Sequence, residues 1–117
     1  MHPPMESTSF GAGDRARDQE ADALLEGLLD SLLNDFSHWF NRGEELLAVC
    51  PDGVMTAEQR QVMASRLAEC KKAIVATRAL VEASPQAMAV SMDAMAPWHQ
   101  LVTEVWALAA RISQSSR

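Results

Sequence analysis

"LLEGLLDSLLNDFSHWFNRGEELLAVCPDG", residues 24–53, is the stretch on which the fold turns. Within it Leu25, Leu29, Leu32, Phe36, Trp39, Leu46 and Cys50 recur at alternating steps of four and three once Gly43 is counted as a small member of the stripe. That rhythm places side chains on one face of an α-helix. Leu33, Phe40 and Leu47 run beside this seam at steps of seven, and Leu24 and Leu28 lie on its other flank. The apolar face is therefore wider than a two-stranded coiled-coil seam and needs two neighbouring helices to cover it. Pro51 disfavours helix at Cys50, and Asp52-Gly53 supplies a turn, so the helix is predicted to end near Cys50.

Beyond the turn, Thr56 and Gln59 have the spacing of a capping box, in which the hydroxyl accepts from an exposed backbone NH and the amide reaches back to the cap. Glu58 adds a favourable charge at that helix start. Met63, Leu67, Cys70, Ile74, Thr77 and Val81 then repeat the four-three rhythm until Ser84-Pro85 breaks it. This second helix is expected to run about 27 residues, or roughly 40 Å. Residues 85–95, "PQAMAVSMDAM", are read as a connection with a single helical turn, because Ser91 and Asp93 resemble caps for something that starts later. A third helix carries Met95, Trp98, Val102, Val105, Ala109 and Ile112 on its seam, with Leu101 and Leu108 alongside. Pro97 suits its first turn, where a missing NH costs little.

Outside these segments, residues 1–16 hold Pro3, Pro4, Gly11 and Gly13 among Ser and Thr without a repeating apolar pattern, and are expected to form a disordered N-terminal tail. The domain proper is residues 17–113, with 114–117 as a flexible C-terminus. Short connections favour antiparallel neighbours, so the fold class is all-α, an antiparallel up-down-up three-helix bundle with a long first helix. The second helix folded back at the turn brings Asp35 near Lys72 and Asp30 near Arg78, exposed pairs that set register more than stability at about 0–1 kcal/mol each.

The chain has 117 residues, 48% hydrophobic and 22% charged, which supports one globular core; aromatic residues are only 5% and Tyr is absent. A net charge of −6 repels nucleic-acid phosphates and anionic membrane surfaces. "MHPPMESTSFGAG" has neither the basic nor the apolar region of a signal peptide, and no apolar run approaches the roughly 18–20 residues that span a bilayer. Two cysteines without secretory context suit a reducing compartment, and the expected location is cytoplasmic.

Each candidate chemistry in the chain has a structural alternative. Asp35 and His38 have the i, i+3 spacing of di-metal helical bundles, but the further carboxylates and the second motif such a site requires are missing. Cys50, Cys70, His38 and His99 have the donor types of a zinc set, yet Cys70 lies some 20 Å along the second helix from the end where Cys50 sits. Both thiols fall on seam positions, where cysteine behaves as a small buried hydrophobe, and an apolar layer makes Cys70 inert as a nucleophile. There is no Gly-rich phosphate loop, no Gly-x-Ser-x-Gly and no pair of carboxylates on an apolar face. The expectation is a non-enzyme with no cofactor and no metal.

The blocks "LLNDFSHWFNRGEELLAVCPDG", the Thr56 helix start and "AMAPWHQLVTEVWALAARI" carry a resemblance to a family of small cyanobacterial proteins of unknown function. The resemblance covers about residues 22–113, and its His-Trp-Phe and Pro-Trp-His-Gln blocks are the most specific. It implies a cyanobacterial cytosolic setting and brings no catalytic residue with it.

The function expected from these residues is a helical protein-interaction or assembly module that binds a protein partner or another copy of itself. Leu24, Leu25 and Leu28 precede the point, near residues 23–25, where the second helix runs out, so little within the chain covers them. With His38, Trp98 and His99 they are the candidate contact residues. The alternative is a small-ligand- or metal-binding bundle using His38, His99 and the methionines Met88, Met92 and Met95. A third reading, peripheral membrane contact through the leucine-rich first helix, is opposed by that helix's acidic polar face.

Overall fold

The four-three rhythm folds as three helices in the computed structural model, which describes residues 5–83 and 92–115: α1 (Met5–Ala48), α2 (Ala57–Ala83) and α3 (Met92–Ser115). No strand occurs among the described residues. The order is up-down-up. Lys71 reaches Glu44 at 2.6 Å while Arg78, further along α2, reaches Asp30 at 3.2 Å, so α2 runs back along α1. Trp98 meets Phe36 and Trp106 meets Trp39, so α3 runs parallel to α1. Helix α1 packs against both neighbours far more closely than they pack on each other.

Helix α1 starts at Met5, well before the end of the stretch read as a tail. Residues 14–22, "DRARDQEAD", are mostly good helix formers, and extending an existing helix by one residue is far easier than nucleating one. Helix α3 likewise starts earlier than expected. Met92, Ala94, Met95 and Ala96 all favour helix and Asp93 places its charge in the first turn, so Pro97 is the sixth residue of α3 instead of lying in its opening turn. The NH that proline lacks would have bonded the carbonyl of Asp93, an exposed residue that water can reach. Ser84, Pro85, Met88 and Ser91, which figure in the reading of the second connection, lie outside the described residues, as do residues 1–4 and 116–117.

The first connection is built as its sequence indicates. Thr56 NH donates to Gln59 Oε1 at 2.9 Å and Gln59 NH donates to Thr56 Oγ1 at 3.1 Å, a complete capping box. Arg60 closes the turn from the other side, donating to the Cys50 carbonyl at 3.3 Å and to Asp52 at 2.9 Å. From α3, Arg111 donates to the Val54 carbonyl, which fixes the end of that helix on the same connection. Replacement Thr56→Ala removes a satisfied cap and is expected to cost about 1 kcal/mol in urea unfolding with an unchanged slope; no loss at all would mean that the box does not persist in solution.

The core is continuous through all three helices. It comprises Leu29, Leu33, Phe36, Phe40 and Leu46 of α1, Met63, Leu67 and Ile74 of α2, and Met95, Trp98, Leu101, Val102, Val105 and Leu108 of α3, with Cys50 and Val54 from the connection. On α1 the expected seam is buried at Leu29, Phe36, Gly43 and Leu46, but at two levels its flank lies deeper: Leu33 and Phe40 are fully buried, whereas Leu32 and Trp39 are only half-buried. The middle of the bundle is tightest at Gly43. A Cβ there would lie 2.9 Å from Val105 Cγ2 and 3.1 Å from Leu67 Cδ2, so the absence of a side chain lets α2 and α3 close on α1. One expected ion pair is replaced. Lys72 lies 3.7 Å from Glu69 on its own helix, and Lys71, one residue round α2, takes the α1 partner, Glu44.

Candidate functional site

The six residues singled out from sequence separate into two groups. Leu24, Leu25 and Leu28 stay exposed, Leu24 at 69% and Leu28 at 62%. Trp98 does the opposite: it is 6% exposed, edge-on to Phe36 with ring centroids 5.5 Å apart, and is core rather than contact surface. Its place three residues after Met95 and four before Val102 puts it on the buried line of α3. His38 and His99 are both exposed, each with its ring against an aromatic neighbour, His38 on Trp39 at 5.1 Å and His99 on Phe36 at 4.9 Å.

The leucines do not stand alone. Leu24, Leu28, Leu32, Asp35 and Trp39 follow one another at steps of four, four, three and four, which keeps them on one face of α1 over roughly 22 Å. At its far end this stripe enters a groove of about 180 Å³ between α1 and α3, lined by Leu32, Asp35, Phe36, Trp39, His99, Val102 and Trp106. Trp39 and Trp106 form its wall, edge to face at 5.6 Å, and Trp106 is 51% exposed despite its place among aliphatic residues. From its spacing Trp106 is expected to point inward in an apolar layer with Trp39 and Cys70, and the structure half-exposes it instead. The available signal was its position: it follows the buried Val105 directly and so lies about 100° round the helix from it. The stripe and groove are suited to burying apolar side chains, with Asp35 and His99 as the polar groups at the edge.

A second groove, of about 350 Å³, lies between α2 and α3, lined by Met55, Glu58, Gln59, Val62, Met63, Arg66, Glu104 and Arg111. Arg66 spans it to Glu104 with two hydrogen bonds, at 2.8 and 2.5 Å. Those bonds raise the Arg66 pKa further, against the opposing effect of burial. Cys50 and Cys70 are free thiols. Burial pushes the Cys70 thiol up from its ordinary value, and the positive charge of Arg66 offsets this only in part, so its thiolate is suppressed near neutral pH.

Among the described residues no three His, Cys, Asp or Glu side chains are grouped to hold a metal ion. Within the same residues no helix is long and apolar enough to cross a membrane. The sequence model of one family, described as a protein of unknown function (DUF2605), matches residues 19–114. No curated protein and no solved structure matches the chain.

Proposed function

The chain belongs to the DUF2605 family, and from that premise we propose that it is a non-enzymatic helical interaction module, whose working surface is the stripe from Leu24 to Trp39 with the groove beside Trp106. The observation that carries this reading is the alignment of exposed leucines with an aromatic groove on one helix face. Scattered surface leucines are ordinary, but leucines aligned along one helix face, interrupted by Asp35 alone and ending at the Trp39–Trp106 pair, have the composition of a docking surface, where aromatic anchors supply most of the affinity. The occupant that fits a straight track of this length is another amphipathic helix. The net charge of −6 favours a protein partner over nucleic acid. The resemblance of the His-Trp-Phe and Pro-Trp-His-Gln blocks supports a cyanobacterial cell, and its cytoplasm, as the setting.

The test is the native mass of the full chain in extract of its own cells, wild type against the double variant Leu24→Glu/Leu28→Glu. Both leucines are exposed in the single chain, so the variant is expected to keep the wild-type circular dichroism. The wild type should run in a particle larger than one 12.8 kDa chain, and the variant should leave it. Wild type and variant both found as single chains would defeat the reading.

A further inference from the structure

We infer that the occupant of this surface is a basic amphipathic helix of a partner protein, one of whose arginine side chains enters the groove between Asp35 and the Trp39–Trp106 pair; this rests on the docking reading above and names the partner's chemistry. The Asp35 carboxylate lines the groove with Leu32, Phe36, Trp39, Val102 and Trp106, and among the described residues neither a hydrogen bond nor an ion pair engages it. A free carboxylate beside two half-exposed indole rings suits a guanidinium, which stacks its plane on an aromatic face while giving paired hydrogen bonds to an acid. An apolar side chain in the same place would cover the acid without satisfying it. His99, the other titratable group lining the groove, packs edge-on to Phe36 at 4.9 Å.

The rest of the track carries the same sign of charge. From Asp18 to Asn41, α1 holds six carboxylates and neither Lys nor Arg. Glu26 and Asp30 lie toward α2, where Asp30 meets Arg78 at 3.2 Å, and they take no part here. Asp18 and Glu20 stand on opposite sides of the leucines, each about 80° round the helix from the mid-line of the track. Neither has an ion pair among the described residues. A basic helix laid on Leu24, Leu28 and Leu32 therefore finds a carboxylate on each flank and a third, Asp35, at the groove. Opposite charges along a helix interface favour a pairing and set its orientation, whereas a second α1 would bring an equally acidic stretch against this one. Arg17, on the same line seven residues before Leu24, marks the end of the track beyond which cations of the occupant gain nothing.

Fluorescence anisotropy of labelled synthetic peptides titrated with the purified full chain, in about 0.15 M salt, reads the outcome. The peptides are three amphipathic helices of about 18 residues, with leucine on one face and arginine, lysine or glutamate on the other. The arginine peptide is expected to bind, the lysine peptide at least about threefold more weakly, and the glutamate peptide not at all. Asp35→Asn should weaken binding of the arginine peptide at least about tenfold, while Glu69→Gln, the same loss of charge on exposed α2, should change it less than about twofold. Leu24→Glu/Leu28→Glu should weaken it at least about tenfold even though it makes the chain more acidic. An Asp35→Asn variant no weaker than Glu69→Gln, or a lysine peptide as tight as the arginine one, would overturn the arginine in the groove. A glutamate peptide that binds as well, an arginine peptide that does not bind, or an arginine peptide indifferent to the leucine substitutions would overturn the basic helix as occupant. The docking reading survives any of these results if the chain in cell extract still runs larger and Leu24→Glu/Leu28→Glu abolishes it, and falls with them otherwise.

Discussion

Replacing Phe40 by alanine is expected to destabilise the chain by about 3–5 kcal/mol, the range for emptying a buried aromatic site. Phe40 has no solvent exposure and stacks on Phe36 with ring centroids 6.1 Å apart, in the layer where α1 is flanked by both other helices. A domain of this size has only about 5–15 kcal/mol in total, so the loss should lower the melting temperature by about 15–25 °C. Phe40→Leu leaves most of the volume filled and should lose only about 1–2 kcal/mol. Urea unfolding of the three proteins at one fixed concentration measures both. An alanine variant within 1 kcal/mol of wild type would put the Phe40 ring outside the core and restore the seam through Trp39.

The second large effect is expected at Gly43, and its sign is informative. Most helical glycines are a weakness: Gly27, with open space where a Cβ would stand, should gain about 0.5–1 kcal/mol on Gly27→Ala. At Gly43 the same substitution offers the same gain in helix propensity. It also drives a methyl into Val105 Cγ2, a branched side chain with one strongly preferred rotamer, and against both terminal methyls of Leu67. Overpacking of that kind costs about 1–3 kcal/mol, so Gly43→Ala should lose about 1 kcal/mol and Gly43→Val about 2–4 kcal/mol. Thermal melts of the variants of Gly27 and Gly43 should therefore move in opposite directions. Stabilisation by both alanines would show that the three helices do not close on one another at Gly43.

The architecture was legible in the sequence because its signals were redundant. The four-three rhythm marks three helices, Thr56 and Gln59 mark where α2 begins, and Pro51-Asp52-Gly53 marks the turn before it; all appear where expected. The pairing of Arg78 with Asp30 followed from the same register. The order of depth within the wide face of α1 was harder to read. Leu32 and Leu33, and Trp39 and Phe40, are adjacent apolar pairs that periodicity alone does not rank, and at both levels the flank residue is the deeper one, whereas at Leu46 and Leu47 it is the seam residue. Which is deeper depends on where α2 and α3 sit, and their close approach at Gly43 leaves no mark in the periodicity. The same ambiguity obscured the candidate site. Trp98 and Trp106 are eight residues apart, and an offset accumulated over two turns is enough to bury one and half-expose the other. The exposed leucines were found because they needed only the length of α2, which the capping box and its closing proline bounded. That α1 continues back to Met5 carried no such marker, since a helix lengthened by propensity alone leaves no apolar pattern.

The unequal packing of the three helices has a mechanical meaning. Helix α1 is a spine, and α2 and α3 are two wings that pack mainly on it; among the described residues they meet at Gly43 and through the bidentate clasp of Arg66 to Glu104 over the wider groove. Both side chains of that clasp are about 40% exposed, so dissolved salt screens it while leaving the apolar grip on the spine intact. Added salt is therefore expected to loosen wing from wing more than it loosens either wing from α1.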